Sequence, residues 1–347
     1  MTDSSNENIL LAVEKALNNG ARFYCYRLPG GEDLDFGVQT CDLAINMGFC
    51  INPFVEGDIK PCFISRHKGA LEYLSEVSQE CVNSHVNSLP LQSSIEKDDY
   101  LSQAEKCVVD LKSGKLGKIV LSRTIASEKS GVSWAKVFKS LLDAYPNAFV
   151  FMYHTEETGY WLGATPEKLL CNHGGEVSTM ALAGTRLAGT QSDWGEKEIV
   201  EQKIVADYIG ECFKKAGIEY EMTATYTRNA GNIEHLCNDF KGQAKSKENI
   251  EALKLALHPT PAIAGVPCKE AVDYICEVEA HNRRCYGGYI GPVNENGDFD
   301  LFVNLRSIEF AGEKYCMYVG GGLTSSSNPE KEWQETAEKA KTLQRFL

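Results

Sequence analysis

Two helical segments of the chain carry glutamates three residues apart. Glu198 and Glu201 form one pair, and Glu332 and Glu335 form the other. Residues at this spacing share one face of a helix, so each pair presents two carboxylates side by side. Two such helices could converge on a hard divalent cation such as Mg²⁺, which takes oxygen ligands. A solvated helix face carries the same pattern, and spacing alone favours that simpler interpretation.

Lys118 is a candidate base because it opens the apolar run Ile119–Leu121. Partial removal from water would favour its neutral amine, which can accept a proton near neutral pH. The same pattern is typical of a strand-edge lysine whose ammonium group reaches solvent. Spacing alone favours the strand-edge role.

Glu167 is a candidate acid because it follows a small-residue turn formed by residues 162–166. A carboxyl group shielded from water there would have a raised pKa and could protonate a departing oxygen. A glutamate in the first turn of a helix, stabilised by the helix dipole, would have the same neighbours. The residues by themselves leave both interpretations open.

Three glycine-rich turns could let backbone N–H groups approach an anion closely. They are residues 183–186, 286–288 and 320–322, with threonine, tyrosine and arginine side chains as further donors. Arg306, at the end of a predicted strand, could hold a carboxylate through two hydrogen bonds. None of the turns has the form of a nucleotide-binding loop. They indicate a small polyanionic ligand if the fold brings them together.

Composition excludes several classes of protein. The 347-residue chain has a formal net charge of −13, which argues against nucleic-acid binding because phosphate contacts need clustered lysines and arginines. It has no apolar run of about 18 residues and no basic leader before an apolar segment, so we expect no membrane span and a cytoplasmic location. The 13 cysteines show no C-x-x-C spacing, which is typical of reduced thiols. His235 and His258 lack partners at the spacing of a metal site or a catalytic triad, so we assign them no chemistry.

The elements that must position these residues indicate a mixed α+β fold. Apolar periodicity predicts helices at residues 9–17, Glu196–Phe213 and Pro329–Phe346. Short apolar runs, such as Phe299–Ile308, predict strands. Regular β-α-β alternation is missing, which argues against a doubly wound parallel sheet and favours a layered sandwich.

A polar stretch near residues 84–98 predicts a variable linker, because it contains asparagine, serine and proline. We therefore divide the chain into two parts. Residues 1–98 form an N-terminal part that completes the domain, and residues 99–347 form the catalytic core.

The ordered motifs of this core resemble those of the chorismate-utilising enzyme family. The elements that carry the resemblance are Lys118-Ile-Val-Leu-Ser-Arg123, Gly163-Ala-Thr-Pro-Glu167, Leu182-Ala-Gly-Thr-Arg186, Glu198-x-x-Glu201, His258-Pro-Thr-Pro-Ala262, Gly265-x-Pro267, Glu279-x-x-x-Arg283-x-x-Tyr286-x-Gly288, Val303-x-x-Arg306, Gly320-Gly-Gly322 and Ser327-x-Pro-x-x-Glu332-x-x-Glu335-Thr-x-x-Lys339. Their combination is far more specific than any single element. The resemblance implies one large α+β domain, a two-layer sandwich of strongly twisted antiparallel sheets with helices outside.

The resemblance also implies a site for Mg²⁺ and for chorismate, a small dicarboxylate. Glu201 and Glu335 would be the main metal ligands, with Glu198 and Glu332 in support. The substrate-binding residues that it implies are Gly184, Thr185, Tyr286, Arg306, Gly320, Gly321, Gly322 and Lys339. Among them, Tyr286 and Arg306 would hold the pyruvyl carboxylate, and Lys339 would balance the charge of the glutamates.

With lysine at position 118, this sequence resembles the members of the family that use water as the nucleophile. Members that use ammonia usually have glutamine at that position. Water needs a base before it can attack ring carbon C2, whereas ammonia is already nucleophilic. The resemblance therefore implies isochorismate synthase activity. Lys118 would activate the water, and Glu167 would protonate the departing C4 hydroxyl group.

Other activities of the same family stay open. Salicylate synthase, which goes on to remove pyruvate, shares the lysine and the glutamates. An aminating subunit, as in anthranilate or aminodeoxychorismate synthase, is disfavoured by Lys118, and a non-catalytic chorismate-binding protein would need neither Lys118 nor Glu167. Gln202, Arg284 and Asn304 depart from the family pattern of histidine, glycine and alanine. We expect a monomer, and the motifs select no pathway among menaquinone, siderophore and salicylate synthesis.

Overall fold

The structure, a computed structural model, describes residues 2–39, 47–66, 90–231 and 233–347. Seven helices lie in this part of the chain: α1 Thr2–Asn19, α2 Lys97–Lys112, α3 Trp134–Ala144, α4 Glu196–Lys215, α5 Lys247–Leu257, α6 Cys268–Val278 and α7 Pro329–Gln344. The strands in the same residues are β1 Phe23–Arg27, β2 Asp35–Val38, β3 Gly48–Asn52, β4 Cys62–Ser65, β5 Lys118–Glu128, β6 Phe149–Thr155, β7 Gly159–Thr165, β8 Lys168–His173, β9 Glu176–Leu187, β10 Tyr220–Met222, β11 Tyr226–Asn229, β12 Ile233–Gln243, β13 Gly265–Val266, β14 Tyr289–Val293, β15 Phe299–Val303, β16 Ser307–Ala311 and β17 Lys314–Leu323.

The strands form two antiparallel sheets. The first has the order β13-β5-β17-β16-β7-β6-β1-β2, and the second has the order β10-β12-β9-β8-β15-β14-β3-β4, with β11 paired to β12. Strands β1 and β3, from the N-terminal part, pair with β6 and β14 of the core. The α+β fold with two antiparallel layers, expected from the sequence, is confirmed.

Aromatic side chains fill the space between the two sheets. Phe149 of the first sheet stacks on Phe302 of the second, with ring centroids 4.2 Å apart and an angle of 6° between the rings. Tyr26 and Phe49 pack against the same group. Large rings bury much apolar surface, so this cluster holds the layers together. Helices α1 and α3 cover the outside of the first sheet, and α4 and α5 cover the second.

Two helices that carry predicted site residues begin where the sequence indicates. Helix α7 begins after Asn328, whose side chain accepts a hydrogen bond from the Lys331 N–H, and Pro329 occupies its first position. Both features favour a helix start. Helix α4 begins after Gly195 without a side-chain cap, and Glu198 lies in its first turn, where the helix dipole favours a carboxylate.

The other predicted elements differ mainly at their ends. The helix expected at residues 9–17 extends over Thr2–Asn19, and the strand that begins at Lys118 continues to Glu128. Within the expected linker, residues 84–89 lie outside the described residues, and helix α2 begins at Lys97. No helix among the described residues has the length and apolarity needed to cross a membrane.

Candidate active site

A cavity of roughly 810 Å³, its mouth included, opens where strands β9, β12 and β17 approach helices α4 and α7. The predicted site residues that line it are Glu167, Gly184, Thr185, Glu201, Tyr286, Arg306, Gly320, Gly322 and Lys339. The predicted residues outside this lining are Lys118, Glu198, Gly321, Glu332 and Glu335. The volume is typical of a small-molecule site. The fold thus gathers residues from distant parts of the chain around one cavity.

Lys118 is completely buried at the start of β5 and forms an ion pair with Glu201, the Nζ lying 2.8 Å from Oε1. The strand-edge role favoured by local spacing is therefore wrong. Gly322 on β17 leaves room for this pair, because a Cβ there would collide with Glu201 Oε1 and lie 3.0 Å from Lys118 Cε. Burial raises the pKa of Glu201, but the charges of Lys118, Lys197 and Lys339 outweigh it and bring the pKa below its ordinary value. Glu201 is accordingly ionised.

Glu167 lies between β7 and β8 and is 4% exposed. The helix-start interpretation is wrong, since strands flank it on both sides. Burial raises the pKa of its carboxyl group to about 8, although the charges of Lys118, Arg306 and Lys339 act in the opposite direction. A carboxyl group with this pKa is protonated at neutral pH and can donate a proton.

Arg306 reaches the cavity from a residue with a positive φ of 48°. Its guanidinium donates hydrogen bonds to the Ala230 carbonyl and to His235 Nε2, both at 2.9 Å. Because arginine has only donors, Nε2 must accept, which places the His235 proton on Nδ1. That proton faces the Gly184 carbonyl, 2.9 Å away. Burial, followed by the charge of Arg306, lowers the pKa of His235 well below its ordinary value, so the ring is neutral.

His235 is a cavity residue that the sequence interpretation missed. Its partners Gly184 and Arg306 lie 51 and 71 residues away in the chain. Sequence reasoning that looks for partners at short spacing cannot detect contacts between residues so far apart in the chain. Burial lowers the pKa of Arg306 to about 10, which leaves it cationic at neutral pH.

The predicted turn at residues 320–322 is instead part of strand β17 and pairs with β5. Glu332 and Glu335 face the middle glycine of this segment. A Cβ on Gly321 would lie 3.6 Å from a carboxylate oxygen of each. Glu332 forms an ion pair of 2.6 Å with Lys197, and Glu335 forms one of 2.8 Å with Lys339. Burial raises the pKa of Glu332 and the like charge of Glu335 adds to the rise, which the charge of Lys197 only partly offsets. Lys197 is a second residue that the sequence interpretation missed, although it directly precedes Glu198.

Glu198 is turned back towards the beginning of its own helix. A Cβ on Gly195 would collide with Glu198 Oε2, so the carboxylate lies beside that glycine. A Cβ on Gly184 would lie 3.1 Å from the Glu198 Cβ and from its carbonyl oxygen. The structure therefore places the Glu198 backbone against the cavity wall and does not group its carboxylate with the other glutamates.

The three remaining glutamates supply oxygen donors of the kind that Mg²⁺ takes. Within the described ranges, no group of three or more histidine, cysteine, aspartate or glutamate side chains is arranged so that it could hold a metal ion. Glu201, Glu332 and Glu335 are each neutralised by a lysine instead. Glu332 Oε2 is buried with no hydrogen bond of normal geometry, and Ser327 provides only a weaker polar contact to the carboxylate. Their oxygens have the donor chemistry for such a cation, which could bind between them only by displacing the lysine ammonium groups.

Comparison with known proteins gives a family. The chorismate binding enzyme family matches residues 49–347. The isochorismate synthase MenF of Bacillus subtilis (strain 168) is 30% identical over 261 residues, which cover 72% of this chain and 55% of that protein. The anthranilate synthase component 1 of Acetivibrio thermocellus is 26% identical over 353 residues, covering 91% of this chain and 71% of that one. The matched stretch thus spans only about half of the MenF relative.

A solved structure shares the fold. It is described as a putative 2,3-dihydroxybenzoate-specific isochorismate synthase, DhbC, from Bacillus anthracis. It superimposes with a TM-score of 0.75 at 20% sequence identity, over 97% of this chain and 99% of that chain. At this identity the likeness establishes the two-layer architecture.

Replacing Gly322 by alanine should disturb the Lys118–Glu201 pair, because the new Cβ meets both side chains. We expect the free energy of unfolding to fall by about 1–3 kcal/mol, as for other overpacked sites. Gly321→Ala is the matched control, since its Cβ meets the Glu332 and Glu335 oxygens only at ordinary contact distance. Urea unfolding followed by tryptophan fluorescence measures both variants. Equal stability of the two would contradict the close packing at Gly322.

Proposed function

This chain belongs to the chorismate binding enzyme family, and we propose that it converts chorismate to isochorismate with Mg²⁺ as cofactor. The observation that carries the proposal is the presence of two buried groups at the cavity: Glu167, which lines it and is protonated, and Lys118, which lies against the lining residue Glu201. Of the charges that oppose the rise in the Glu167 pKa, that of Lys118 acts most strongly. Adding water to one ring carbon while a hydroxyl group leaves another requires one base and one acid.

An anionic substrate suits the charge of the cavity. Arg306 hydrogen-bonds to two neutral groups, the Ala230 carbonyl and His235, and among the described residues no ion pair is found for it. Its charge is therefore available to a carboxylate, which it can hold through two hydrogen bonds. Tyr286 lies on the same wall, and a Cβ on Gly320 would lie 2.9 Å from its hydroxyl. We assign the pyruvyl carboxylate of chorismate to Arg306 and Tyr286, beside the Gly320–Gly322 backbone.

Further residues of the lining complete the proposed binding site. Gly184 and Thr185 would border the ring, because they lie on the part of the wall next to His235. Lys339 donates a hydrogen bond of 2.9 Å to the Gly320 carbonyl while it pairs with Glu335. It would therefore hold the glycine segment of β17 against helix α7 and balance the glutamate charge.

In the proposed reaction, Lys118 removes a proton from water as the oxygen forms a bond to C2. The two ring double bonds shift, and the C4–O bond breaks. Glu167 gives its proton to the departing hydroxyl group, which leaves as water. One water enters and one leaves, so the product is an isomer of the substrate. Lys118 and Glu167 regain their starting states by exchanging one proton, directly or through solvent.

Glu201 and Glu335 would hold the cation, supported by Glu332; Glu198, whose carboxylate turns back to Gly195, is not part of the proposed metal site. Bound Mg²⁺ would orient the substrate carboxylate and offset the glutamate charge. Lys118 would then lose Glu201 as its counter-charge, and a buried amine without a counter-charge favours the neutral form that accepts a proton. Binding of the cation to the glutamates would therefore favour the neutral form of Lys118, which acts as the base.

Amination at the same carbon is the second candidate activity, because relatives named anthranilate synthase component 1 match this chain. Ammonia is already nucleophilic, so its addition would not require a buried lysine as a base. Water addition is therefore the activity that the residues support best. Loss of pyruvate after isochorismate formation, as in salicylate synthesis, would use the same acid, base and metal.

Incubation of the purified protein with chorismate and Mg²⁺, without ammonia, should yield isochorismate, resolved by chromatography over time. Adding a chelator should stop turnover, and excess Mg²⁺ should restore it. Salicylate with pyruvate would move the activity to salicylate synthase, and product formed only with ammonia would favour amination. Turnover unaffected by the chelator would rule out the glutamate metal site.

Lys118→Gln should lower kcat by about 10²–10⁴-fold, because the water loses its base. Chorismate binding, measured by calorimetry, should stay detectable, since Arg306 and Tyr286 are unchanged. Lys115→Gln is the control, because Lys115 is an exposed lysine just before β5. Near-normal turnover by Lys118→Gln would show that another group acts as the base.

The rate should fall at high pH because Glu167 must be protonated to act. Its pKa is raised to about 8, so the acid form is present below that pH and is lost above it. We expect kcat to fall about tenfold for each pH unit beyond it. Glu167→Gln should lose the acid and with it this basic limb of the pH profile, whereas Glu176→Gln, at the exposed start of β9, should keep both. A wild-type profile that stays flat to about pH 10 would contradict the role of Glu167.

A further inference from the structure

We propose that Arg284, Glu309 and Tyr318 form a buried chain of contacts that positions Tyr286 for the substrate. Arg284 and Glu309 are then positioning residues that do not touch the cavity. The inference rests on the proposed function, because that function assigns Tyr286 to the substrate carboxylate.

The chain begins with an ion pair in the core between the two sheets. The Arg284 guanidinium donates to Glu309 Oε1 and to the Pro90 carbonyl. The Tyr318 hydroxyl donates to the other carboxylate oxygen, Oε2, at 2.7 Å. Arg284, Glu309 and Tyr318 are 6%, 3% and 1% exposed, so water does not compete for these contacts.

The chain ends at the cavity wall through stacked rings. The Tyr318 ring stacks on Tyr286 with centroids 5.6 Å apart and an angle of 17° between the rings. It also stacks on Trp161, with ring centroids 5.3 Å apart. Tyr318 and Tyr286 both line the cavity, whereas Arg284 and Glu309 do not. A shift of Tyr318 would therefore move the face against which Tyr286 rests.

The backbone conformation at Arg284 indicates that the guanidinium contacts offset a cost of having a side chain at this position. Its φ is +53°, in the left-handed region where a side chain is strained and glycine is not. The Arg284 carbonyl also accepts a hydrogen bond from the Phe54 N–H, which fixes this conformation. Burying an ion pair adds a desolvation cost. A glycine would avoid both costs, so the benefit of arginine lies in what its guanidinium holds.

Charge balance around Glu309 depends on Arg284. The groups that face the carboxylate are Arg284, Tyr318, Cys316, Tyr153 and Cys285. Burial raises the pKa of both thiols and both phenols, so these groups are neutral near neutral pH. Burial also raises the pKa of Glu309 itself, while the charge of Arg284 acts to lower it.

The test is the pH dependence of KM in Arg284→Gly. Without the arginine the pKa of Glu309 rises further, so the carboxyl group is neutral at low pH and becomes an unpaired buried charge as the pH increases. We expect KM for chorismate to be near the wild-type value at about pH 5.5 and roughly tenfold higher at about pH 8.5. The ratio of variant to wild-type KM at each pH removes the effect of groups that titrate in both proteins, Glu167 among them. We expect kcat to change less than KM, because Tyr286 binds a carboxylate away from the reacting carbons.

Companion variants separate positioning from general damage. Arg284→Gly with Glu309→Gln should restore KM and remove its pH dependence, because glutamine can still accept from Tyr318 without a charge. The KM of Arg284→Lys for chorismate should stay close to the wild-type value. Tyr318→Phe keeps the ring and removes only the hydroxyl, so it should raise KM by about 2–5-fold even if Arg284→Gly fails to fold. Val13→Ala, in the remote core of α1, should lower stability and leave KM unchanged.

The outcomes distinguish this inference from the proposed function. Wild-type turnover with an unchanged KM in Arg284→Gly and Tyr318→Phe would overturn the positioning chain alone. A KM increase that is independent of pH and persists in the double variant would also overturn the positioning chain. Absence of chorismate turnover by the wild-type protein would overturn the proposed function, and the assigned role of Tyr286 with it.

Discussion

The ion pair between Lys118 and Glu201 is the constraint around which the cavity is built. An ammonium with no exposed surface needs a counter-charge, since an unpaired charge in this position would be very costly. Glu201 can provide it because helix α4, which packs on β9, directs this side chain to Lys118 on β5 and Gly322 on β17. The approach is possible only where β17 has no side chain, at Gly322. The position of α4, the glycine at position 322 and the buried lysine thus depend on one another.

The other charges of the site follow from the same balance. Glu332 and Glu335 on α7 each have a lysine partner, so the charges of both carboxylates are neutralised. Arg306 is different, because its hydrogen bonds go to a carbonyl and to a neutral histidine. The cavity therefore combines a neutralised acidic wall with a cationic one that can receive an anion. Glu167 lies among these cations yet is protonated, because burial outweighs their attraction.

The sandwich provides the stiffness that such a balance needs. Aromatic rings fill the space between the sheets, and Glu309 with Arg284 interrupts them as a charged pair. The rings beside this pair, Tyr318 and Tyr286, form part of the cavity wall. The same interlayer core that holds the sheets together therefore also shapes the surface that meets the ligand.

Helix starts, the helical glutamate spacing and the antiparallel fold were accessible from the sequence, because they reflect local periodicity, capping and an ordered set of motifs. Lys118 shows where local reasoning fails. Its neighbours predict an exposed strand edge, and burial is decided by α4 and β17, which lie far away in the chain. The Glu167 pKa has the same origin, since desolvation comes from the packing of residues that the motif does not contain.

Residue types, their order and the family are thus properties of the sequence itself. Tertiary structure alone decided which glutamates have lysine partners, that Glu198 turns back to its own helix, and that His235 connects Gly184 to Arg306. The physical reason is that charge pairing and desolvation depend on distances between atoms. Those distances are set by packing between segments that lie tens to hundreds of residues apart.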